Sequence, residues 1–316
     1  MDAPEQRARR LARELVERGA LRDPRWRAAF EEVPREYFVP SYHAPAPGGG
    51  RERLWWQDPD PDRRRRWQRG VYTDAPLATR MREGELLSSS SQPSLMARML
   101  ERLAVHEGMR VLEVGTGTGW NAALLAHRLG DERVTTVDLD PEITEAARRH
   151  LAVAGYRPAV VTGDGARGVP ARAPYDRIIA TCTVPAVPRA WLAQCAPGGR
   201  ILTPLATGLL RLTVHDPGHA EGRFLDVPAY FVGLRGGPPP RAEVPATGVP
   251  AEARRAESFV FLLALTAYRV PPRAAYDIWR AEGRPHRERY GVTVRGDDQW
   301  AWLDAPDGDY RWPLDG

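Results

Sequence analysis

The residues with the clearest chemical potential form one stretch, Arg110-Val111-Leu112-Glu113-Val114-Gly115-Thr116-Gly117-Thr118-Gly119-Trp120-Asn121. A mostly apolar run too short for a helix enters three alternating glycines. A helical pattern (Ala122, Leu125, Leu129) leaves them. Glycine takes positive φ without strain and puts no Cβ between the backbone and a ligand. The helix start behind it offers unbonded N–H groups to a carboxylate or phosphate. The spacing narrows the ligand. A dinucleotide fingerprint, G-x-G-x-x-G, would need glycine where Trp120 stands. A Walker-type phosphate loop needs a lysine, and all 45 Lys+Arg side chains are arginine.

Other candidates flank this turn. Asp138 ends a second short run, residues 134–137, where an acid is well placed to accept hydrogen bonds from ribose hydroxyls. Asp164 follows a third run, residues 159–162, and could meet an adenine amino group. Ser88, Ser89, Ser90 and Ser91 precede Gln92-Pro93 and an amphipathic helix (Leu95, Met96, Met99, Leu100, Leu103). The serines read either as a capping loop or as a segment folded over the glycine turn, since that helix feeds the ligand strand. Arg63, Arg64, Arg65 and Arg66 crowd together with Trp55, Trp56 and Trp67. They make either a solvated basic loop or a clamp on an acidic peptide, with bidentate arginines and flat indoles.

Positioning these groups requires strands that alternate with helices over residues 111–204, which predicts an α/β fold. Its parallel sheet carries helices on both faces and ligands at the strands' carboxyl ends. Ahead of it, residues 5–18 and 25–32 read as helices, the second opened by Asp23-Pro24. Residues 41–70, with Pro45, Pro47 and three glycines at 48–50, read as a long irregular loop. Strands are expected over 209–214 and 224–234, then a Pro- and Gly-rich boundary from Gly236. A helix over 253–268 and an aromatic tail (Trp300, Trp302, Tyr310, Trp312) follow.

Composition excludes several classes. Of 316 residues, 42% are hydrophobic and 27% charged, which suits a globular chain. No apolar run approaches the ~18 residues of a membrane span, and the charged N-terminus is unlike a signal peptide. A cytoplasmic protein with no membrane partner is expected. The net charge of +4 is modest, so nucleic acid is not expected as a partner. Cys182 and Cys195 make neither a disulfide framework nor a zinc spacing. His215 and His219 are separated by Pro217-Gly218, so no metal site is expected.

The G-x-G-x-G turn after a strand resembles motif I of the S-adenosylmethionine-dependent methyltransferases. The blocks Val33 to Pro40, Tyr72-x-Asp74, Ser91-Gln92-Pro93, Gly163-Asp164-Gly165 and Ala173-Pro174-Tyr175-Asp176 resemble, in order, those of protein-L-isoaspartate O-methyltransferases. The resemblance covers roughly residues 5–235. It implies a doubly wound, Rossmann-like class I methyltransferase sheet with a C-terminal extension. Residues 1–237 would be the methyltransferase domain, with N-terminal helices and a 41–70 insertion. Residues 238–316 would be an extension that is a candidate for peptide binding.

The same resemblance implies S-adenosylmethionine as cofactor, held by Ser89, Ser90, Glu113, Gly115, Thr116, Gly117, Asp138, Leu139, Asp164 and Gly165. Ser91 would orient the acceptor carboxylate as the catalytic residue, and Ser88 and Gln92 would contact substrate; the clamp reading, not the resemblance, adds Arg63 to Arg66 as substrate contacts. Three departures bear on the substrate. The repair enzymes carry Gly-Gln-Thr-Ile-Ser-Gln-Pro where this chain has Leu87-Ser88-Ser89-Ser90-Ser91-Gln92-Pro93, and they are expected to lack most of 41–70 and a tail like 238–316.

The serine run with such extensions resembles actinobacterial relatives that modify ribosomally made peptides, often beside ATP-grasp ligases. The implied reaction methylates an aspartate side chain of an acidic, pre-modified peptide, leading to an aspartimide or isoaspartate. General isoaspartate repair and a non-catalytic peptide-binding protein on the same scaffold are the alternatives. A carboxylate with an ordinary pKa near ~4 is already ionised at neutral pH, so catalysis by positioning suffices.

Overall fold

The computed structural model describes residues 3–46, 48–236, 247–267 and 269–314. Contacts divide the chain into two units, Met1–Gly163 and Asp164–Gly316.

The first unit opens with α1 (Pro4–Glu17) and α2 (Pro24–Glu32). Ala8, Leu11, Ala12 and Leu15 of α1 are buried at helical spacing. The Asp23 carboxylate caps α2 by accepting from Arg25 N, and Pro24 fills the first turn. Residues 41–70 depart from the expected loop. They form β1 (Ser41–Pro45), β2 (Arg51–Trp55) and α3 (Pro61–Val71). With β3 (Leu77–Arg82) and β4 (Glu85–Ser90) the strands make an antiparallel sheet in the order β2-β1-β3-β4.

The physical reason is a small private core. Val39, Tyr42, Leu54, Trp67, Val71 and Leu77 pack together, and the Trp67 indole donates to Val39 O at 2.9 Å. The glycines that suggested irregularity close the hairpin: Gly49 and Gly50 have positive φ, and Ala46 N donates to Gly50 O at 3.1 Å. Asp60 caps α3. Ser88 to Ser90 lie in β4 and Ser91 just follows it, so the run is not the cap of the next helix. Gln92 precedes α4 (Pro93–Leu103) without a side-chain capping bond.

Next come β5 (Val111–Val114), α5 (Trp120–Leu129), β6 (Val134–Asp138), α6 (Pro141–Val153) and β7 (Ala159–Thr162). The β5–β6 and β6–β7 pairs are parallel. Every residue of β5 and β6 is buried, the pattern of strands covered on both faces.

In the second unit, β8 (Tyr175–Ala180) pairs in parallel with β9 (Cys195–Leu205), after α7 (Arg189–Gln194). Antiparallel β10 (Gly208–Asp216) and β11 (His219–Pro228) follow. The Pro- and Gly-rich boundary lies mostly outside the described residues. The helix expected over 253–268 is two helices, α8 (Ala251–Arg255) and α9 (Glu257–Leu265), separated by extended Ala256. After α10 (Pro272–Ala281), the aromatic tail forms β12 (Tyr290–Arg295), β13 (Asp298–Leu303) and β14 (Arg311–Pro313). These strands continue outward from β11 in antiparallel pairs. Phe261 of α9 meets Phe224 of β11 edge-on at 4.9 Å, and Trp302 is 2% exposed. Trp302 and Trp312 of the tail are buried and serve packing.

Candidate functional site

The glycine turn is built as its residues require. Gly115, Gly117 and Gly119 all have positive φ, at 97°, 51° and 88°. Gly115 N donates to Val137 O at 2.9 Å and Gly117 N to Asp138 Oδ2 at 3.2 Å, which ties the turn to the end of β6. Trp120, where a dinucleotide turn would carry glycine, points inward. It is 3% exposed, donates to Val33 O at 3.1 Å, and meets Phe30 edge-on.

Beneath the turn runs a buried polar chain. Asn121 Nδ2 donates to Glu113 Oε1 at 2.7 Å, and Thr136 Oγ1 donates to Glu113 Oε2 at 2.6 Å. Thr136 Oγ1 also lies 2.8 Å from Thr116 Oγ1. Burial pushes the Glu113 carboxyl up to about 7, against the lowering effect of those two donors. Glu113 is fully buried with both oxygens engaged. Its side chain braces the turn. Asp138 is 8% exposed, and its Oδ1 accepts from Asp140 N at 3.3 Å. Leu139, beside it, is exposed.

The serine strand lies over this turn. A Cβ added at Gly117 would stand 3.5 Å from Ser89 O and 3.8 Å from Ser88 Oγ. Ser88 Oγ accepts from Thr79 Oγ1 at 3.4 Å, and Gln92 Nε2 donates to Ser94 Oγ at 3.0 Å.

Ser90 and Ser91 are held by Arg35, a residue that sequence reasoning passed over. Its guanidinium donates to Ser90 Oγ (3.1 Å), Ser90 O (3.0 Å) and Ser91 O (2.9 Å). It also donates to Val71 O, Thr73 O and Ala75 O at 3.0–3.2 Å. Burial brings its pKa down to about 9, opposed by the charge of Asp74. Arg35 lies within the Val33 to Pro40 block. An arginine between the apolar Val33 and Phe38 was the available signal, since a charge there needs many acceptors.

Arg63, Arg64, Arg65 and Arg66 lie on α3, where each already has an acceptor. Arg63 pairs with Glu52 at 2.6 Å and Asp58 at 2.8 Å, and Arg66 with Glu52 at 2.6 Å. Arg64 donates to Asp58 O and Pro59 O, and Arg65 pairs with Asp62. A clamp made of them would first have to open these bonds. Asp164 and Gly165 open the second unit. Asp164 caps a short 3-10 turn by accepting from Ala166 N at 2.9 Å, and Gly165 O accepts from the Trp191 indole at 2.8 Å.

This first-unit geometry fits S-adenosylmethionine. The turn is stripped of Cβ where the serine strand approaches, and a carboxylate stands at the end of the next strand.

Fold and turn together define a class I S-adenosylmethionine-dependent methyltransferase. A solved protein-L-isoaspartate O-methyltransferase matches 94% of this chain and 100% of its own, with TM-score 0.63 and 24% identity. Another, from Plasmodium falciparum and in complex with S-adenosyl-L-homocysteine, has TM-score 0.56 at 15% identity over 72% of this chain and 98% of its own. The protein-L-isoaspartate(D-aspartate) O-methyltransferase family profile matches residues 63–219. The protein-L-isoaspartate O-methyltransferase of Thermococcus onnurineus is 36% identical over 195 residues, 61% of this chain and 75% of that one. That of Hyperthermus butylicus is 36% identical over 213 residues, 64% and 76% of the two chains. The chain belongs to the protein-L-isoaspartate O-methyltransferase family, whose members are S-adenosylmethionine-dependent carboxyl methyltransferases.

One expectation is overturned. Residues 238–316 are about a quarter of the chain, so a solved relative covering 94% of it has a counterpart for most of the tail. A tail of this kind does not separate this chain from isoaspartate methyltransferases.

Proposed function

We propose that this enzyme transfers a methyl group to an aspartate side-chain carboxylate of a ribosomally made, modified peptide. The observation that carries the reading is the serine strand over Gly117, with Ser90 and Ser91 pinned by Arg35. The bound cofactor supplies an activated methyl group. The Gly115 to Gly117 turn, the Asp138 carboxylate and Leu139 would hold the cofactor. Ser89 and Ser90 line the cofactor side and Ser88 and Gln92 the acceptor side. Ser91 donates to one oxygen of the acceptor carboxylate and aims the other.

A carboxylate is already ionised at neutral pH, so no base is needed and the protein contributes alignment and exclusion of water. The new ester then carries a better leaving group. The following backbone nitrogen attacks the ester carbonyl, methanol leaves, and a succinimide forms that persists or hydrolyses to isoaspartate. Residues 1–237 would do this chemistry and 238–316 would assist in holding the peptide. An ATP-grasp ligase would prepare the peptide in the cytoplasm. No helix among the described residues is long and apolar enough to cross a membrane.

A second reading, repair of isoaspartyl sites in proteins, is favoured by the match of a solved isoaspartate methyltransferase over nearly the whole chain. It is favoured also by the internal pairing of Arg63 and Arg66. Matched aspartyl and isoaspartyl peptides, assayed for methyl transfer and product mass, decide between the two. Preferential turnover of ordinary isoaspartyl peptides would establish repair and sink the first reading.

A further inference from the structure

We propose that the basic hollows on either side of α1 dock an acidic segment of the peptide substrate, away from the residue being methylated. The proposal rests on the peptide reading above. One hollow, of about 260 Å³, is lined by Arg7, Arg10, Gln68, Arg69 and Tyr72 with Leu11 and Glu14. The other, of about 460 Å³, is lined by Arg9, Arg10, Arg13 and Arg27 with Gln6 and Glu31. Arg10 lines both.

The charge here differs in kind from that of residues 63–66. Arg7 is held by Glu36 at 2.7 Å and Arg27 by Glu31 at 2.7 Å. Arg9, Arg13 and Arg69 are exposed, and among the described residues they have no carboxylate partner. Arg9 and Arg13 stand four apart on α1, and Arg10 and Arg13 three apart, spacings at which like charges destabilise a helix. An anionic partner would relieve that repulsion.

The place is suitable as well. Tyr72 lines the first hollow, and its chain neighbours Val71 O and Thr73 O are bonded to the guanidinium that also holds Ser90 O and Ser91 O. One guanidinium thus ties the backbone beside this hollow to the backbone of Ser91. Carboxylates meet the guanidiniums in pairs, while Leu11 and Tyr72 accept the aliphatic stems.

The test is binding of a fluorescein-labelled, Glu-rich decapeptide lacking aspartate to the full chain, read by anisotropy at low ionic strength. Saturable binding is expected. The Arg9→Gln/Arg13→Gln/Arg69→Gln variant should bind roughly tenfold more weakly, and Arg148→Gln/Arg149→Gln on α6 should bind as the parent does. A circular dichroism spectrum matching the parent's excludes misfolding of these exposed substitutions. In kinetics, a Glu-rich tail should lower the KM of a matched acceptor peptide without changing kcat, and the triple variant should lose that advantage. Equal binding by the triple variant, or equally tight binding of inorganic polyphosphate, would overturn the proposal. Decapeptide binding is read without methyl transfer, so an enzyme that docks it yet methylates no aspartyl or isoaspartyl peptide would sink the functional reading alone.

Discussion

At the glycine turn, Glu113, Thr116, Asn121 and Thr136 are buried and bonded to one another, and the turn above them carries glycines of positive φ tied to the end of β6. On α3, Arg63 to Arg66 are partly or fully exposed and bonded to Glu52, Asp58 and Asp62 within the same small sheet and helix. Polar side chains stiffen the backbone in both regions, yet only the first pairs that stiffness with a turn bare of Cβ atoms. A dense run of one charge is here satisfied by carboxylates close to it in the chain, a pairing its composition does not announce.

The sharpest way to break this contrast is at Arg35, which joins the two regions. Arg35→Met leaves the carbonyls of Ser90, Ser91, Val71, Thr73 and Ala75 without their donor. Urea unfolding should show a loss of about 3–5 kcal/mol, and turnover should fall below detection even where the fold survives. A loss under 1 kcal/mol would mean that the serine strand holds itself in place.

Glu113 gives the next largest effect. Its folded-state value, about 7, lies above the ordinary carboxyl range, so the folded protein holds this proton more tightly than the unfolded chain. The stabilisation is fully present below the unfolded value and is lost as pH rises to about 7, flattening beyond. Glu113→Gln has no charge to bury and should remove that slope. Relative to the parent it gains on the order of 3 kcal/mol between pH 4 and pH 8. Parallel stability curves for the two proteins would refute the linkage.

Asp138→Ala should weaken S-adenosylmethionine binding by about 1–3 kcal/mol in titration calorimetry. Ser91→Ala should lower turnover far more than cofactor affinity. Equal losses would move Ser91 to the cofactor side of the site. The smallest effect is expected from replacing Arg63 to Arg66 with glutamine. Exposed pairs contribute about 0–1 kcal/mol each, and peptide KM should change less than threefold. A large, salt-sensitive rise in KM would restore the clamp.

The glycine turn, Asp138 and the alternation of strands with helices were legible because local rules dictate them: alternating glycines, apolar runs of strand length, Asp-Pro helix starts. Residues 41–70 were misread for the same reason. Their prolines and glycines mark a hairpin turn as readily as a loop, and only Tyr42, Leu54 and Trp67 meeting in space decides between them. The Asp60-Pro61 pair at the start of α3 repeats the Asp23-Pro24 signal and was the overlooked clue. Arg35 was hidden because all its acceptors are backbone carbonyls far along the chain, which no side-chain pattern announces.

The tail strands have a consequence for solubility. A sheet ending on the ten-residue β11 would present a long ladder of open hydrogen-bonding groups to any neighbouring chain. With β12 to β14 added, the rim is a strand of three residues that includes Pro313, which has no N–H to give. Pro313 thus makes this rim of the sheet a poor template for strand-by-strand aggregation.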